Sequence, residues 1–231
     1  MTESQEQKKP QCLYRYFPAF KEHNQLNIER IFVHNQISFS CPLGFNDPFD
    51  CRAHELTAND VEEQKNIGLV KNKVDNLLKD IVVLCLSETK DNILMWSHYS
   101  TGHRGFCLEF KVADGGFFEG AEEVIYPEKN EYPKIHIYEK DEEKVKSILF
   151  TKSKNWKHEK ERRICIPRAN EDIYTMIPFP EQLLTGVIFG CQMPDKDKQQ
   201  IKKWVEEGKC SPKFYQAREK ENEFGLDILP D

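Results

Sequence analysis

Two acids and an arginine alternate late in the chain, where their side chains could act together. Glu159, Glu161 and Arg163 directly precede the apolar run at residues 164–166. If this segment is extended, alternate side chains share one face, so the three charged groups converge where a strand begins. Paired carboxylates in such a place can stabilise a developing positive charge or orient a hydroxyl. The same pattern is also typical of a solvated charge run that ends a strand.

Composition limits the classes of function. The 231 residues suffice for a sizeable core, and the formal net charge of -6 argues against general binding to nucleic-acid backbones. No window approaches the roughly 20 apolar residues of a membrane span, so we expect a cytoplasmic protein that does not enter a membrane. The eight cysteines are scattered without a CxxC pair. They are therefore expected to be buried, reduced thiols, and no metal site is predicted.

The order of strand-like and helix-like segments predicts an α+β fold with mixed, mostly antiparallel sheets and flanking helices. Residues 1–11 are expected to be a disordered tail, and residues 12–231 a single domain with a helical insertion at about 58–80. The two element types are mixed without regular alternation, which favours α+β over a doubly wound sheet. Neither GxGxxG nor GxxxxGK[ST] occurs, so no phosphate-binding loop of these classes is predicted.

Several short motifs occur together along the chain. They are Leu13-Tyr14-Arg15-Tyr16, Ile37-Ser38-Phe39-Ser40, Phe45-Asn46-Asp47-Pro48-Phe49-Asp50, Leu86-Ser87, Met95-Trp96-Ser97-His98-Tyr99, the run at 105–110 and the charged run at 156–163. In this combination they resemble the bacterial domain-of-unknown-function family 2971 (DUF2971). The resemblance extends over about residues 12–229, and the family name conveys no activity.

The order of these parts also resembles the ADP-ribosyltransferase fold. In that fold a first strand carries a His or Arg that contacts NAD, and a second strand carries Ser or Tyr near the nicotinamide. A later strand begins with Glu-x-Glu or Gln-x-Glu. Arg15 matches the first element, Ser38 or Ser40 the second, and Glu159-Lys160-Glu161 the third. Arg15 departs from the many members that have His at this place.

This second resemblance implies an enzyme that uses NAD as a substrate. It would cleave the nicotinamide–ribose bond and transfer ADP-ribose to a protein, a nucleic acid or water, in a toxin or phage-defence setting. Glu161 would stabilise the oxocarbenium-like ribose and Glu159 would orient or deprotonate the acceptor, while Arg15 would hold a pyrophosphate or ribose oxygen. The other residues expected to bind NAD are Tyr16, Ser38, Ser40, Asn46, Asp47, Phe49, Trp96, His98 and Tyr99.

Each residue also has a structural explanation. Arg15 can pair with Glu161 or Glu109 on neighbouring strands, Trp96 is more typical of a core, and Asp47 is a common turn former. A nucleotide- or nucleic-acid-binding protein and a non-catalytic interaction domain are the alternative functions. The first alternative depends on a basic strip beside Trp156, formed by Lys152, Lys154, Lys157, Lys160, Arg162 and Arg163.

Overall fold

Strands and helices alternate irregularly along the chain in the computed structural model, which describes residues 9–52, 55–169 and 174–231. The strands are β1 (Cys12–Phe17), β2 (Gln36–Ser40), β3 (Leu56–Thr57), β4 (Ile81–Ser87), β5 (Phe106–Lys111), β6 (Glu122–Glu123), β7 (Ile135–His136), β8 (Glu161–Pro167), β9 (Tyr174–Pro178), β10 (Leu184–Phe189), β11 (Lys213–Glu219) and β12 (Leu226–Pro230). The α-helices are α1 (Glu22–His34), α2 (Val61–Lys79), α3 (Ile93–Tyr99), α4 (Asp141–Leu149) and α5 (Asp195–Glu207).

The main sheet runs in the order β12-β11-β10-β5-β1-β4-β2-β9, and β8 pairs with both β4 and β6. Within the described residues, β10 and β11 form the one parallel strand pair of this sheet. A separate small sheet pairs β3 with β7. The predicted α+β class with mostly antiparallel pairing is therefore confirmed.

Strand β4 divides the sheet, and this division creates the site. Along one edge, β8 pairs with β4 over its whole length, from Ile81↔Pro167 to Ser87↔Glu161. On the other edge, β1 meets β4 only at Tyr14↔Ser87 and β2 meets it only at Ser40↔Val83. Strands β1 and β2 therefore pair with opposite ends of the same edge of β4. Between these two contacts β1 and β2 diverge and leave a gap beside β4.

The largest apolar cluster lies between the sheet and helices α1 and α5. Leu13, Phe106 and Val187 come from the neighbouring strands β1, β5 and β10, and they are almost completely buried. Phe32 of α1 and Trp204 of α5 stack with their ring centroids 6.4 Å apart and cover this face. Phe17 of β1 stacks on Phe106 of β5 with the ring centroids 5.0 Å apart, and this contact fixes β1, which carries the first of the predicted site residues.

A second cluster packs α2 and α4 on the opposite side of β4. Val74 and Leu78 of α2 are completely buried and lie in one cluster with Ile148 and Leu149 of α4. The helix expected at about 58–80 thus spans Val61–Lys79 and contributes to the core. Of the tail expected at residues 1–11, residues 1–8 lie outside the described residues. Within the described parts of the chain, no helix has the length and apolar character needed to cross a membrane.

Candidate active site

A cavity of about 340 Å³ occupies the gap between β1, β2 and β4. Val83, Cys85 and Leu86 of β4 form part of its wall, and the loop after β2 lies along one side. Seven of the expected site residues line it, namely Arg15, Tyr16, Ser40, Asn46, Tyr99, Glu159 and Glu161. The first-strand arginine and the late pair of acids therefore share one cavity, although they are far apart in the sequence.

A buried charge network forms one wall of this cavity. The Nζ atom of Lys152 lies 2.5 Å from a carboxylate oxygen of Glu159, 2.9 Å from Glu161 and 3.6 Å from Asp50. Arg163 pairs with both Glu161 and Asp50. No member of this network is more than 8% exposed. Three carboxylates thus face two cations away from water, where each unpaired charge is costly.

The backbone reaches this arrangement differently from the sequence prediction. Residues Lys154–Glu159 form a 3₁₀ helix, Lys160 adopts a left-handed φ of 44°, and β8 begins only at Glu161. The expectation that Glu159 lies on the same extended strand as Glu161 is therefore wrong. The Ser87 hydroxyl donates to the Glu159 carbonyl at 2.6 Å and holds the turn, so the two side chains converge across a tight bend.

Glu161 is the most strongly held carboxylate of the network. Its oxygens accept hydrogen bonds from Arg163 Nε at 2.7 Å, from Arg163 Nη2 at 3.0 Å and from Lys152 at 2.9 Å. Despite complete burial, the two cations keep the pKa of Glu161 far below its ordinary value. Glu161 is thus a fixed negative charge, which suits electrostatic stabilisation but not proton abstraction.

Glu159 has a different environment. The Tyr99 hydroxyl donates to one of its oxygens at 2.5 Å, and Lys152 donates to the other at 2.5 Å. Burial raises the pKa of Glu159, and the neighbouring Lys152 opposes this rise. Burial, assisted by Glu159, also raises the pKa of Tyr99, so its hydroxyl remains a donor. Glu159 is therefore the carboxylate of the cavity that is suited to accept a proton.

Arg15 lies on the cavity wall without a described carboxylate partner. Its guanidinium donates to the Ser38 carbonyl at 2.6 Å and to the Ser38 hydroxyl at 3.2 Å, and it lies 5.1 Å from the Phe17 ring centroid. The pairing considered with Glu161 or Glu109 is absent, because Glu161 is held by two other cations and Glu109 lies 3.6 Å from Lys90. Burial lowers the pKa of Arg15 to about 10, so it stays charged at neutral pH.

Part of this site lies within a segment that matches a known family. Residues 95–164 match the family described as protein of unknown function (DUF2971). The expected resemblance to DUF2971 is confirmed over this range. The DUF2971 segment contains Tyr99, Lys152, Glu159, Glu161 and Arg163, whereas Arg15 and Asp50 lie before it. None of the curated proteins and none of the solved structures matches the chain.

Some expected site residues lie away from the cavity. Within the DUF2971 segment, Trp96 is completely buried, donates its Nε1 hydrogen to the Lys90 carbonyl at 2.9 Å and meets the Tyr16 ring edge-on at 5.2 Å. It cannot stack on a ligand in this position, so its expected binding role is corrected to a core role. His98 is exposed and contacts the ring of Trp156 instead. Ser38 acts through its two bonds to Arg15.

Asp47 and Phe49 belong to a neighbouring cavity of about 460 Å³ that also contacts Trp156. Asp47 accepts from Trp156 Nε1 at 2.7 Å and from the Phe49 amide at 2.9 Å, so its carboxylate stabilises the loop turn. Lys152 lines both cavities and is the cation between them.

The six basic residues expected to form one strip beside Trp156 do not form a continuous surface. Lys152 and Arg163 are buried in the charge network. Both Lys154 and Lys157 pair with Glu128, and Arg162 lies 2.5 Å from Glu88 and 3.7 Å from Glu123. Of these residues, the sequence prediction missed the role of Lys152, because a lysine among other charged residues resembles a surface residue. The sequence analysis included Asp50 as the last residue of the Phe45–Asp50 motif but assigned it no role in the site.

Proposed function

We propose that the chain is an ADP-ribosyltransferase-like enzyme that cleaves the nicotinamide–ribose bond of NAD and transfers ADP-ribose to a macromolecule or to water. One observation carries the proposal: a guanidinium without a described carboxylate partner and two buried carboxylates in different charge environments line the same cavity. A site with one fixed charge and one adjustable acid can both stabilise a cationic centre and accept a proton.

The reaction assigns a separate task to each acid. The bond between ribose C1′ and the ring nitrogen of nicotinamide breaks, and nicotinamide leaves with the bonding electron pair. Glu161 stabilises the positive charge that develops on the ribose. An oxygen of water or of the acceptor then bonds to C1′, and its proton passes to Glu159. These two roles follow from the directions of the pKa shifts, because the pKa of Glu161 is lowered and the pKa of Glu159 is raised.

Arg15 supplies the recognition of the negative part of the substrate. A guanidinium presents a planar set of donors that suits pyrophosphate or ribose oxygens, and the two bonds to Ser38 fix its orientation. The rings of Tyr16 and Tyr99 on the same wall provide flat apolar surface for a base. The volume of about 340 Å³ lies at the lower end of the range for small-molecule sites, which is about 300–1000 Å³.

The cellular setting belongs to the same proposal. All eight cysteines lie within the described residues and are free thiols, as expected for a reducing cytoplasm where NAD is available. A role in a toxin or in phage defence, with a protein or nucleic acid as the acceptor, follows from the resemblance to ADP-ribosyltransferases.

The test is nicotinamide release from NAD by the wild type, Glu159→Gln and Glu109→Gln. Glu109 is a matched control, because it also accepts from a tyrosine, Tyr14, and lies near a lysine, Lys90, but does not line the cavity. Loss of the general base should lower release by about 10²–10⁴-fold in Glu159→Gln. The control should retain wild-type release.

Glu161→Gln is a poorer test, because it removes a partner from both Arg163 and Lys152 and would disturb folding. A folded wild type that releases no nicotinamide in the presence of cell extract would overturn the proposal, and so would full activity of Glu159→Gln. Steeply salt-dependent oligonucleotide binding without NAD turnover would favour the nucleic-acid alternative instead.

A further inference from the structure

Lys152 occupies the centre of the charge network, and its position is set by the backbone on both sides. Its amide donates to the Ile125 carbonyl at 3.0 Å, directly after the bridge between Ile125 and Thr151. On the other side, the 3₁₀ helix Lys154–Glu159 returns the chain, so that Glu159 lies beside Lys152 although it is seven residues away in the sequence.

 The chain therefore brings one cation and one acid together locally, and the sheet then adds the remaining acids.

We propose that Lys152 is a positioning residue that keeps the Glu159 carboxylate ionised and directed at the cavity, a role that rests on the proposed function of the same site. Lys152 acts through Glu159 and needs no contact with the reacting atoms.

The distribution of partners makes this role specific to Glu159. Glu161 and Asp50 each have a second cation, because Arg163 lies 2.7 Å from Glu161 and 2.6 Å from Asp50. Among the described residues, Lys152 is the one cation within ion-pair distance of Glu159. Removal of the lysine charge therefore leaves Glu161 and Asp50 paired but leaves Glu159 as a buried acid without a counter-charge.

The other titratable groups around Glu159 do not replace this cation. The hydroxyl of Tyr99 on α3 donates to Glu159, and the hydroxyl of Tyr126, which precedes α4, accepts from the Glu161 amide. Both tyrosines are neutral, because burial raises their pKa values. Glu161 of β8 and Asp50 of the loop after β2 are acids, so their charges oppose ionisation of Glu159. Without Lys152, burial and two neighbouring acids all favour the protonated form of Glu159, which cannot accept another proton.

The experiment measures the protonation of Glu159 directly. Side-chain carboxyl carbons of ¹³C-glutamate-labelled protein are titrated by NMR in the wild type, Lys152→Met, Lys152→Arg and Lys144→Met. Lys144 is a matched control because it is 2% exposed, bonds to the Glu139 carbonyl and Asp141, and does not line the cavity. The pKa of Glu159 should rise by about 1–3 pH units in Lys152→Met. It should stay near the wild-type value in Lys144→Met and return towards that value in Lys152→Arg.

Activity supplies a second readout. In Lys152→Met, the acid side of the pH profile of nicotinamide release should move upwards by the same amount, while KM for NAD changes less than kcat. A folded Lys152→Met protein in which Glu159 titrates as in the wild type would overturn the inference. A wild type that does not turn over NAD would overturn the proposed function alone, because the NMR titration needs no substrate.

A second variant covers the case in which Lys152→Met does not fold. In Glu159→Gln, the pKa of Lys152 should fall because one of its carboxylate partners is lost, and ¹⁵N NMR of the lysine side chains measures this fall. Glu109→Gln should leave the Lys152 resonance unchanged. An unchanged Lys152 pKa in Glu159→Gln would contradict the proposed coupling.

Discussion

Arg163 offers the sharpest test of the charge network, through the substitution Arg163→Met. The guanidinium is completely buried and donates to Glu161, to both oxygens of Asp50 and to the Leu149 carbonyl at 2.5 Å. Methionine fills much of the same space but leaves both acids without this partner. Loss of one partner from a buried ion pair costs about 3–5 kcal/mol of unfolding free energy.

The neighbouring Arg162 is the control. Its side chain is 16% exposed and pairs with Glu88 and Glu123, whose side chains are 31% and 51% exposed. Such a pair contributes about 0–1 kcal/mol, so Arg162→Met should be nearly neutral. For a protein of this size, each kcal/mol corresponds to about 2–4 °C in Tm. Arg163→Met should therefore lower Tm by about 6–20 °C, and Arg162→Met by about 4 °C at most.

Urea unfolding followed by circular dichroism measures both variants, and its pH dependence tests the cause. Because the folded-state pKa of Glu161 lies below its ordinary value of 4.5, this group stabilises the fold above pH 4.5. That contribution is lost as the pH falls below 4.5. The raised pKa of Glu159 has the opposite sign but is present in both proteins. Below pH 4.5, the wild type should therefore lose stability more steeply than Arg163→Met.

Two results would refute this reasoning. The first is a decrease of less than about 1 kcal/mol in the unfolding free energy of Arg163→Met, which would mean that solvent reaches the charge network. The other is an equal loss in Arg162→Met, which would mean that any arginine in β8 has the same effect and that burial is not the cause.

Two further predictions concern the backbone and the substrate. Gly105→Ala should destabilise the fold by about 1–3 kcal/mol, since a Cβ atom there would lie 1.9 Å from the Phe17 carbonyl oxygen. Gly68→Ala in α2 should instead stabilise the fold by about 0.5–1 kcal/mol, because no atom lies within 4 Å of the added Cβ atom. Thermal unfolding of the two variants and the wild type measures both effects. Arg15→Met should raise KM for NAD by about tenfold or more while the protein stays folded; an unchanged KM with normal circular dichroism would exclude Arg15 from substrate binding.

Local patterns in the sequence coincide closely with several elements of the structure. The apolar run at 81–87 coincides with β4, and the alternating run that begins at Phe106 forms β5. Asp60 lies near the start of the helical insertion expected at about 58–80, and its side chain caps α2 by accepting from the Glu62 and Glu63 amides. These features depend on neighbours in sequence, such as side-chain periodicity and a cap three residues from its donor. Such features can therefore be predicted from the sequence without knowledge of the tertiary structure.

The same reasoning failed where burial decides the outcome. Lys152 was expected in a basic strip beside Trp156, but it is buried next to the carboxylates of Glu159, Glu161 and Asp50. Trp96 was considered for ligand stacking, but its ring fills the core next to Tyr16. In both cases the residue type is compatible with either place, and only packing selects one.

The sequence by itself determined the α+β character, the charged residues available for chemistry and the short spacing that joins Lys152, Glu159 and Glu161. Tertiary structure alone decided that the sheet divides at β4, that Arg15 opens onto the same cavity as these acids, and that Lys152 is buried among three carboxylates. The physical reason is that the protonation and role of a charged group depend on its solvent exposure and on partners from distant parts of the chain, and neither is encoded in local spacing.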